Sequence, residues 1–174
     1  FEDALGLVLL RGQLMDEVPE GGMLSVPMPA EELKALLGDE LDLAAANSPQ
    51  LSVASGDNLL LDSLSDRLTE RGIESQRVRI NIAAHSRLLE TIMGRFQGYL
   101  DGIELKDPQL PIVSNRTGTW LSPEDAKSSK YWVEHLRNTV LFGKGVDALL
   151  EQGDSVFVEV GPGSTLGSFV RQNP

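Results

Sequence analysis

Two histidines, His85 and His135, and the arginine that closes an apolar run, Arg11, are the side chains here best suited to acid–base or anion chemistry. An imidazole with its ordinary pKa of about 6.5 is the usual general base for an alcohol or thiol near neutral pH. His85 follows the small pair Ala83-Ala84 and precedes an apolar-periodic stretch, which puts it at a strand-to-helix junction. A histidine there acts as a base only if a reacting group faces it; otherwise it is a surface or capping residue. Arg11 ends the apolar residues 7–10. It either snorkels to water or aims its planar fork into a cavity, where it would hold a carboxylate through two parallel bonds.

Other chemistries fit the sequence less well. The run Gly161-Pro162-Gly163-Ser164-Thr165-Leu166-Gly167 invites a phosphate-loop reading, but a P-loop needs Lys then Ser or Thr after its last glycine, and Ser168-Phe169 stands there. A dinucleotide fingerprint needs an acidic residue about 20 positions further on, and the sequence stops first. The glycines therefore read as a tight strand-to-helix turn. A serine nucleophile needs Gly-x-Ser-x-Gly at an elbow; Ser55-Gly56 and Ser164 come nearest, and neither fits. Without cysteine there is no disulfide scaffold, thiol nucleophile or thiolate zinc site. Two distant histidines and scattered carboxylates suggest no metal site, and no bound cofactor is expected.

The elements that must position these groups follow from periodicity and punctuation. Residues 1–15 read as a helix whose apolar residues fall on every side, so it should be buried in a larger body. Residues 23–28 alternate like a strand. Pro29 can open a short helix with Leu33, Leu36 and Leu37 on one face, closed by Gly38. Residues 41–46 and 51–55 read as strands joined by Asn47-Ser48-Pro49. Asp57 can cap a helix carrying Leu60, Leu61, Leu64 and Leu68, closed by Gly72, and residues 73–80 form a fourth strand. The order β-α-β-β-α-β is the split βαβ, or ferredoxin-like, arrangement. Beyond it, Leu88, Leu89, Ile92, Met93, Phe96 and Leu100 mark an amphipathic helix. Residues 110–113 read as a short buried strand, 131–137 and 142–150 as helices, and 156–160 as a strand running into the glycine turn and a helix from Thr165. Strand, glycine turn, helix is α/β grammar.

A length of 174 residues suits one domain or a piece of a larger one, and 41% hydrophobic with 24% charged residues are globular values. The net charge of −11 disfavours nucleic acid and membrane as partners. No apolar run is long enough to span a bilayer, and the acidic start Phe1-Glu2-Asp3 lacks the basic region of a signal peptide. The absence of cysteine fits a reducing compartment, so the expected location is cytoplasmic. Because the first residue is not Met, the expectation is a chain that begins inside a longer polypeptide.

Eight segments together resemble the acyltransferase domains of modular polyketide synthases and their malonyl-coenzyme A:acyl-carrier-protein transacylase relatives. They are Phe1-Glu2-Asp3-Ala4-Leu5, Arg11-Gly12-Gln13-Leu14-Met15, Asn47-Ser48-Pro49, Val53-Ala54-Ser55-Gly56, Ile82-Ala83-Ala84-His85-Ser86, Val113-Ser114-Asn115-Arg116-Thr117-Gly118, Tyr131-Trp132-Val133-Glu134-His135-Leu136 and Glu159-Val160-Gly161-Pro162-Gly163. The resemblance runs the length of the chain in the family's order. It implies an α/β fold: an α/β-hydrolase-like acyltransferase body with an inserted ferredoxin-like α+β subdomain. Residues 1–20 would be a helix of the large subdomain, 21–82 the small subdomain and 83–174 the C-terminal part of the large one.

The resemblance also implies a reaction. In the family a serine in a Gly-His-Ser-x-Gly elbow takes an acyl group from acyl-coenzyme A and passes it to the phosphopantetheine thiol of an acyl carrier protein. The elbow precedes the position matching Arg11 and would fall before Phe1, so this chain alone is expected to be inactive. His85 matches the family's catalytic histidine, which deprotonates the serine and later the carrier thiol. Arg11 matches the arginine that pairs with the free carboxylate of malonyl-type groups. His135 falls where the family uses a backbone carbonyl to hold the catalytic imidazole. Asn115 matches a pocket-wall position, and Gly161 and Gly163 match scaffold positions. Partners implied are the carrier protein, malonyl-type acyl-coenzyme A and neighbouring synthase domains.

Extender choice in the family follows the four residues ending in the catalytic histidine, His-Ala-Phe-His with malonyl and Tyr-Ala-Ser-His with methylmalonyl. Ile82-Ala83-Ala84-His85 is neither. Ala84 removes the wall a phenylalanine would raise against an α-methyl, but one methylene is worth only about 1–3 kcal/mol. The expectation is malonyl, or relaxed choice. The alternative from another class is a non-catalytic docking module built on the ferredoxin-like unit; it would put His85 and Arg11 on opposite faces. Exposed apolar surface is expected beside residues 1–15, around Leu5, Val8 and Leu9.

Overall fold

The computed structural model describes residues 1–173. Its first element, α1 (Glu2–Met15), packs through Leu14 and Met15 against α4 (Glu90–Asp101) and α6 (Ser129–Arg137). Leu89, Ile92, Phe96, Leu100, Val133 and Leu136 complete this apolar cluster. The exposed apolar surface expected beside residues 1–15 is present: Leu5, Val8 and Leu9 are 49%, 66% and 59% exposed. Only one side of α1 meets a partner, and the exposed apolar stripe lies where the sequence led one to look.

A four-stranded antiparallel sheet follows, built from β1 (Gly22–Val26), β2 (Asp42–Ser48), β3 (Leu51–Gly56) and β4 (Gln76–Arg77) in the order β2-β3-β1-β4. Two helices, α2 (Ala30–Leu37) and α3 (Asn58–Glu70), interrupt the strands. The Asp57 carboxylate accepts the Leu59 and Leu60 amides at 2.8 and 3.3 Å, satisfying two donors at the start of α3. Gly38 (φ +65°) and Gly72 (φ +73°) turn the chain out of α2 and α3 through the left-handed region. Leu33, Leu37, Leu61, Leu64 and Leu68 from the helices bury one face of the sheet with Leu24, Val26 and Ala54. The other face presents Met23, Ala44, Ala45 and Val53, which pack on Ala84 and Val140.

The fourth strand is much shorter than residues 73–80 suggested. Only Gln76 and Arg77 pair with β1, although the Val78 amide still reaches the Met23 carbonyl at 2.9 Å. Val78 and Ile80 are 37% and 42% exposed, so no packing holds the rest extended. At the opposite edge, β2 is closed by the segment after α6: Ala46 donates to the Val140 carbonyl and Val140 to the Ala44 carbonyl, each at 2.8 Å.

The remaining elements are a 3-10 turn (Arg87–Leu89), α5 (Pro123–Ala126), α7 (Phe142–Leu150) and α8 (Thr165–Val170). Two predicted strands are corrected. Residues 110–113 form no buried strand; Leu110 is 76% exposed, and a single bridge from Val113 to Trp120 closes a small loop on itself. Residues 156–160 form no strand either, with Val156 and Val160 more than nine-tenths exposed. Their β-branched alternation is a strand pattern, but a strand exists only with a neighbour to bond, and among the described residues none pairs with it.

Candidate functional site

His85 sits in the irregular stretch between β4 and the 3-10 turn, and its backbone takes φ +56°. It is the one non-glycine residue of positive φ among the described residues. A side chain with a Cβ enters that region at a cost, and such residues persist where their surroundings over-determine them. Ser86 secures the next position: its buried hydroxyl donates to the Ala83 carbonyl at 2.7 Å and accepts the Leu88 amide at 3.2 Å. Gly21 lets the neighbouring backbone come close, since a Cβ there would stand 2.7 Å from the Ala83 Cβ.

Three groups that carry or can gain positive charge converge on this loop. Arg11 lies on α1, one turn before the buried Met15; His135 lies on α6. Burial, then the charges of His135 and Arg11, push the pKa of His85 below its ordinary value. Burial, then Arg11 and Arg116, push His135 the same way. Both rings are half-buried while Arg11 is exposed. The carbonyls of Asn138 and His135 approach the His85 ring closely enough to favour its protonated form, against the larger opposing effects. Nδ1 of His85 is nevertheless buried without a hydrogen bond of ordinary geometry. The His135 ring itself is held at 6.0 Å from the Trp132 ring and 6.3 Å from the Tyr131 ring.

Arg11, His85 and His135 are thus brought together, whereas the other predicted positions divide. Ala84 packs toward the small residues of the sheet's inner face, and Ile82 toward the α1–α4–α6 cluster. Asn115 accepts the Leu141 amide at 2.7 Å through its carbonyl and lines a cavity of about 350 Å³ with Phe142, Glu159 and Gly167. That cavity is lined by none of Arg11, His85 and His135. Gly161 and Gly163 lie exposed, with open space where a Cβ would stand and φ +88° at Gly163. The phosphate-loop alternative loses further ground here. Glu159 accepts the Leu166 and Gly167 amides at 3.2 and 2.9 Å, so a carboxylate already occupies the place a phosphate would take.

Sequence reasoning missed one set of residues beside the loop. Asp42, on β2, accepts the Arg87 amide at 2.9 Å and the Arg87 Nε at 3.0 Å through one carboxylate oxygen. Its other oxygen accepts Arg87 and Arg137, each at 3.3 Å. Arg137 also donates to Glu90 at 2.9 Å. Burial alone would raise the Asp42 pKa; hydrogen bonds from Arg87 and the charge of Arg137 more than offset this and lower it. No sequence signal links residues so far apart in the chain.

Chemically, an imidazole kept neutral near pH 7 can accept a proton, and a guanidinium beside it can hold an anion. Among the described residues no group of three or more His, Asp or Glu stands close enough to hold a metal ion, and no helix is long and apolar enough to cross a membrane.

Residues 1–173 match the family model described as acyl transferase domain. Over 174 residues the chain is 32% identical to a phenolphthiocerol/phthiocerol polyketide synthase of Mycobacterium tuberculosis, covering 100% of this chain and 12% of that protein. The acyl transferase domain of SpnD, solved in complex with 2-(pent-4-yn-1-yl)malonyl, superposes with a TM-score of 0.93 at 38% identity, over 98% of this chain and 42% of that one. The malonyl CoA-acyl carrier protein transacylase of Clostridium perfringens superposes with a TM-score of 0.90 at 25% identity, over 99% and 57% of the two chains.

Proposed function

The chain belongs to the acyl transferase domain family of type I polyketide synthases, and on that premise we propose that it supplies the histidine and the carboxylate-binding arginine of an acyltransferase in its parent protein. The chain spans only 12% of the length of that mycobacterial relative. The parent transfers a malonyl-type group from acyl-coenzyme A to the phosphopantetheine thiol of an acyl carrier protein through an acyl-serine. No Gly-x-Ser-x-Gly elbow occurs in these 174 residues, so the serine comes from elsewhere in the parent.

The observation that carries this reading is the convergence of Arg11, His85 and His135. Neutral His85 takes the serine proton as the serine attacks the thioester carbonyl. It returns that proton to the departing coenzyme A thiolate, and it repeats the exchange with the carrier thiol. Arg11 pairs with the remote carboxylate and fixes the reacting carbonyl, which favours a dicarboxylic acyl unit over an acetyl one. The nearby Asn138 and His135 carbonyls would hold the second imidazole nitrogen once substrate is bound, and the His135 contribution would then be its C=O. The four-stranded unit serves as a ferredoxin-like insert in an α/β-hydrolase-like body, a reading supported by its strand order β2-β3-β1-β4. Ala84, in the four residues ending at His85, lacks the bulk of a phenylalanine, which supports malonyl or relaxed choice.

The test is acylation. The 174-residue chain incubated with malonyl-coenzyme A should show no adduct by intact mass, whereas the parent should show one on a serine outside these residues. A stable malonyl adduct on a serine of this chain would overturn the assignment.

A further inference from the structure

We propose that Asp42 is a positioning residue for His85, acting through Arg87 and Arg137 to hold the two backbone segments that frame the imidazole. Arg87 is two positions after His85, and Arg137 lies between His135 and Asn138, whose carbonyls face the ring. One carboxylate therefore fastens both segments from the edge strand of the sheet.

The bonding is denser than a surface ion pair requires. Arg87 engages Asp42 through its backbone amide as well as its guanidinium, so the peptide immediately after His85-Ser86 is itself tethered. The same guanidinium also donates to the Asp39 and Leu41 carbonyls, tying it to the start of β2. Arg137 shares Asp42 and adds Glu90 on α4. Side chains of Asp42 and Arg137 are only 15% and 20% exposed, which shields their pair from solvent screening. Arg137 is followed by the residues that close the sheet: Thr139 donates its hydroxyl to the Leu43 carbonyl at 2.7 Å, and Val140 bridges Ala45. The left-handed backbone of His85 needs such a frame, because a free histidine relaxes out of that conformation.

The inference rests on His85 being the general base, and its readout is chosen to be separable from catalysis. With two histidines in the chain, the His85 ring is followed by proton NMR and assigned by comparison with His135→Gln. The groups that face it are His135 and the His135 and Asn138 carbonyls from the α6 end, and Arg11 from α1; Arg116 faces His135. Removing the Asp42 charge without loosening the loop would lower the His85 titration midpoint, since an anion favours imidazolium. Loosening the loop hydrates the ring and raises the midpoint toward about 6.5. We expect Asp42→Asn and, to a smaller extent, Arg87→Lys to raise it, with the circular dichroism spectrum unchanged. Arg77→Lys, in the remote Arg77–Asp62 pair, should leave it unmoved. A midpoint that stays or falls in both variants overturns the proposal, and either variant suffices if the other does not fold. In the parent enzyme the same variants should lower kcat about 10- to 100-fold with KM for the acyl donor unchanged, the range for a displaced catalytic group. A raised midpoint with intact transfer supports positioning and refutes His85 as the base; lost transfer with an unmoved midpoint does the reverse.

Discussion

His135 stands close enough to His85 for its charge to depress the pKa of that ring, and Arg11 acts on both. Folding therefore selects the neutral form of each imidazole, by burial first and by like charge second. The unfolded chain, with histidines near 6.5, takes protons at a higher pH than the folded one. Stability should fall as pH drops through about 6.5 and level off below the folded pKa values. Thermal melts at a series of pH values should show this slope, and His85→Gln and His135→Gln should each flatten it. Asp42 acts in the same direction at lower pH, through its charged form: its lowered pKa stabilises the fold above 3.8, and that contribution is lost as pH falls further. Asp42→Asn should remove the second, more acidic loss and, by raising the His85 midpoint, shrink the first.

Replacing His85 with Gln in the parent enzyme should abolish serine acylation. The nearest measured guide is a loss of about 10⁶-fold in kcat when the histidine of a serine protease is removed. Single-turnover transfer from malonyl-coenzyme A checks this; a loss below about tenfold would mean that another group accepts the proton.

Arg11→Ala should reverse the donor preference. Transfer of a dicarboxylic acyl group should drop about 100-fold in kcat/KM, while transfer of acetyl, which lacks the remote charge, should hold or rise. Arg11→Lys should recover only part of the loss, because an ammonium lacks the two-point fork. Competition between malonyl- and acetyl-coenzyme A reads the ratio directly.

Leu14 is fully buried at the seam where α1 meets α4 and α6. Leu14→Ala should destabilise the chain by about 3 kcal/mol, lowering Tm by roughly 10 °C at this size. Because Arg11 is one turn away on the same helix, the variant should also weaken donor selectivity in the parent, which the same competition assay detects.

Much of the sheet unit was legible locally. Asp57 and the glycines at 38 and 72 act within a few residues of themselves, so cap and stop signals located α2 and α3 closely. The amphipathic leucines did the same for α4, because a buried stripe is a property of one helix. The failures are all about partners. Val156 to Val160 and Val78 to Ile80 carry strand-forming residues, but whether a strand forms depends on a neighbour that no local pattern reveals. At the site, His85 and Arg11 were legible as residue types, and the resemblance named their roles. The tether of Asp42 to Arg87 and Arg137 was not, since it joins positions that meet only once the sheet edge has closed.

The closure of that edge has a mechanical side. With Val140 hydrogen-bonded between Ala44 and Ala46, the small sheet is stitched to the helical layer by main chain rather than resting on it. Any motion that parts the sheet edge from the segment after α6 has to strain those two hydrogen bonds. The seam thus resists separation of the two layers. The amides of Ala46 and Val140 should accordingly be among the slowest to exchange with deuterium outside the buried cores.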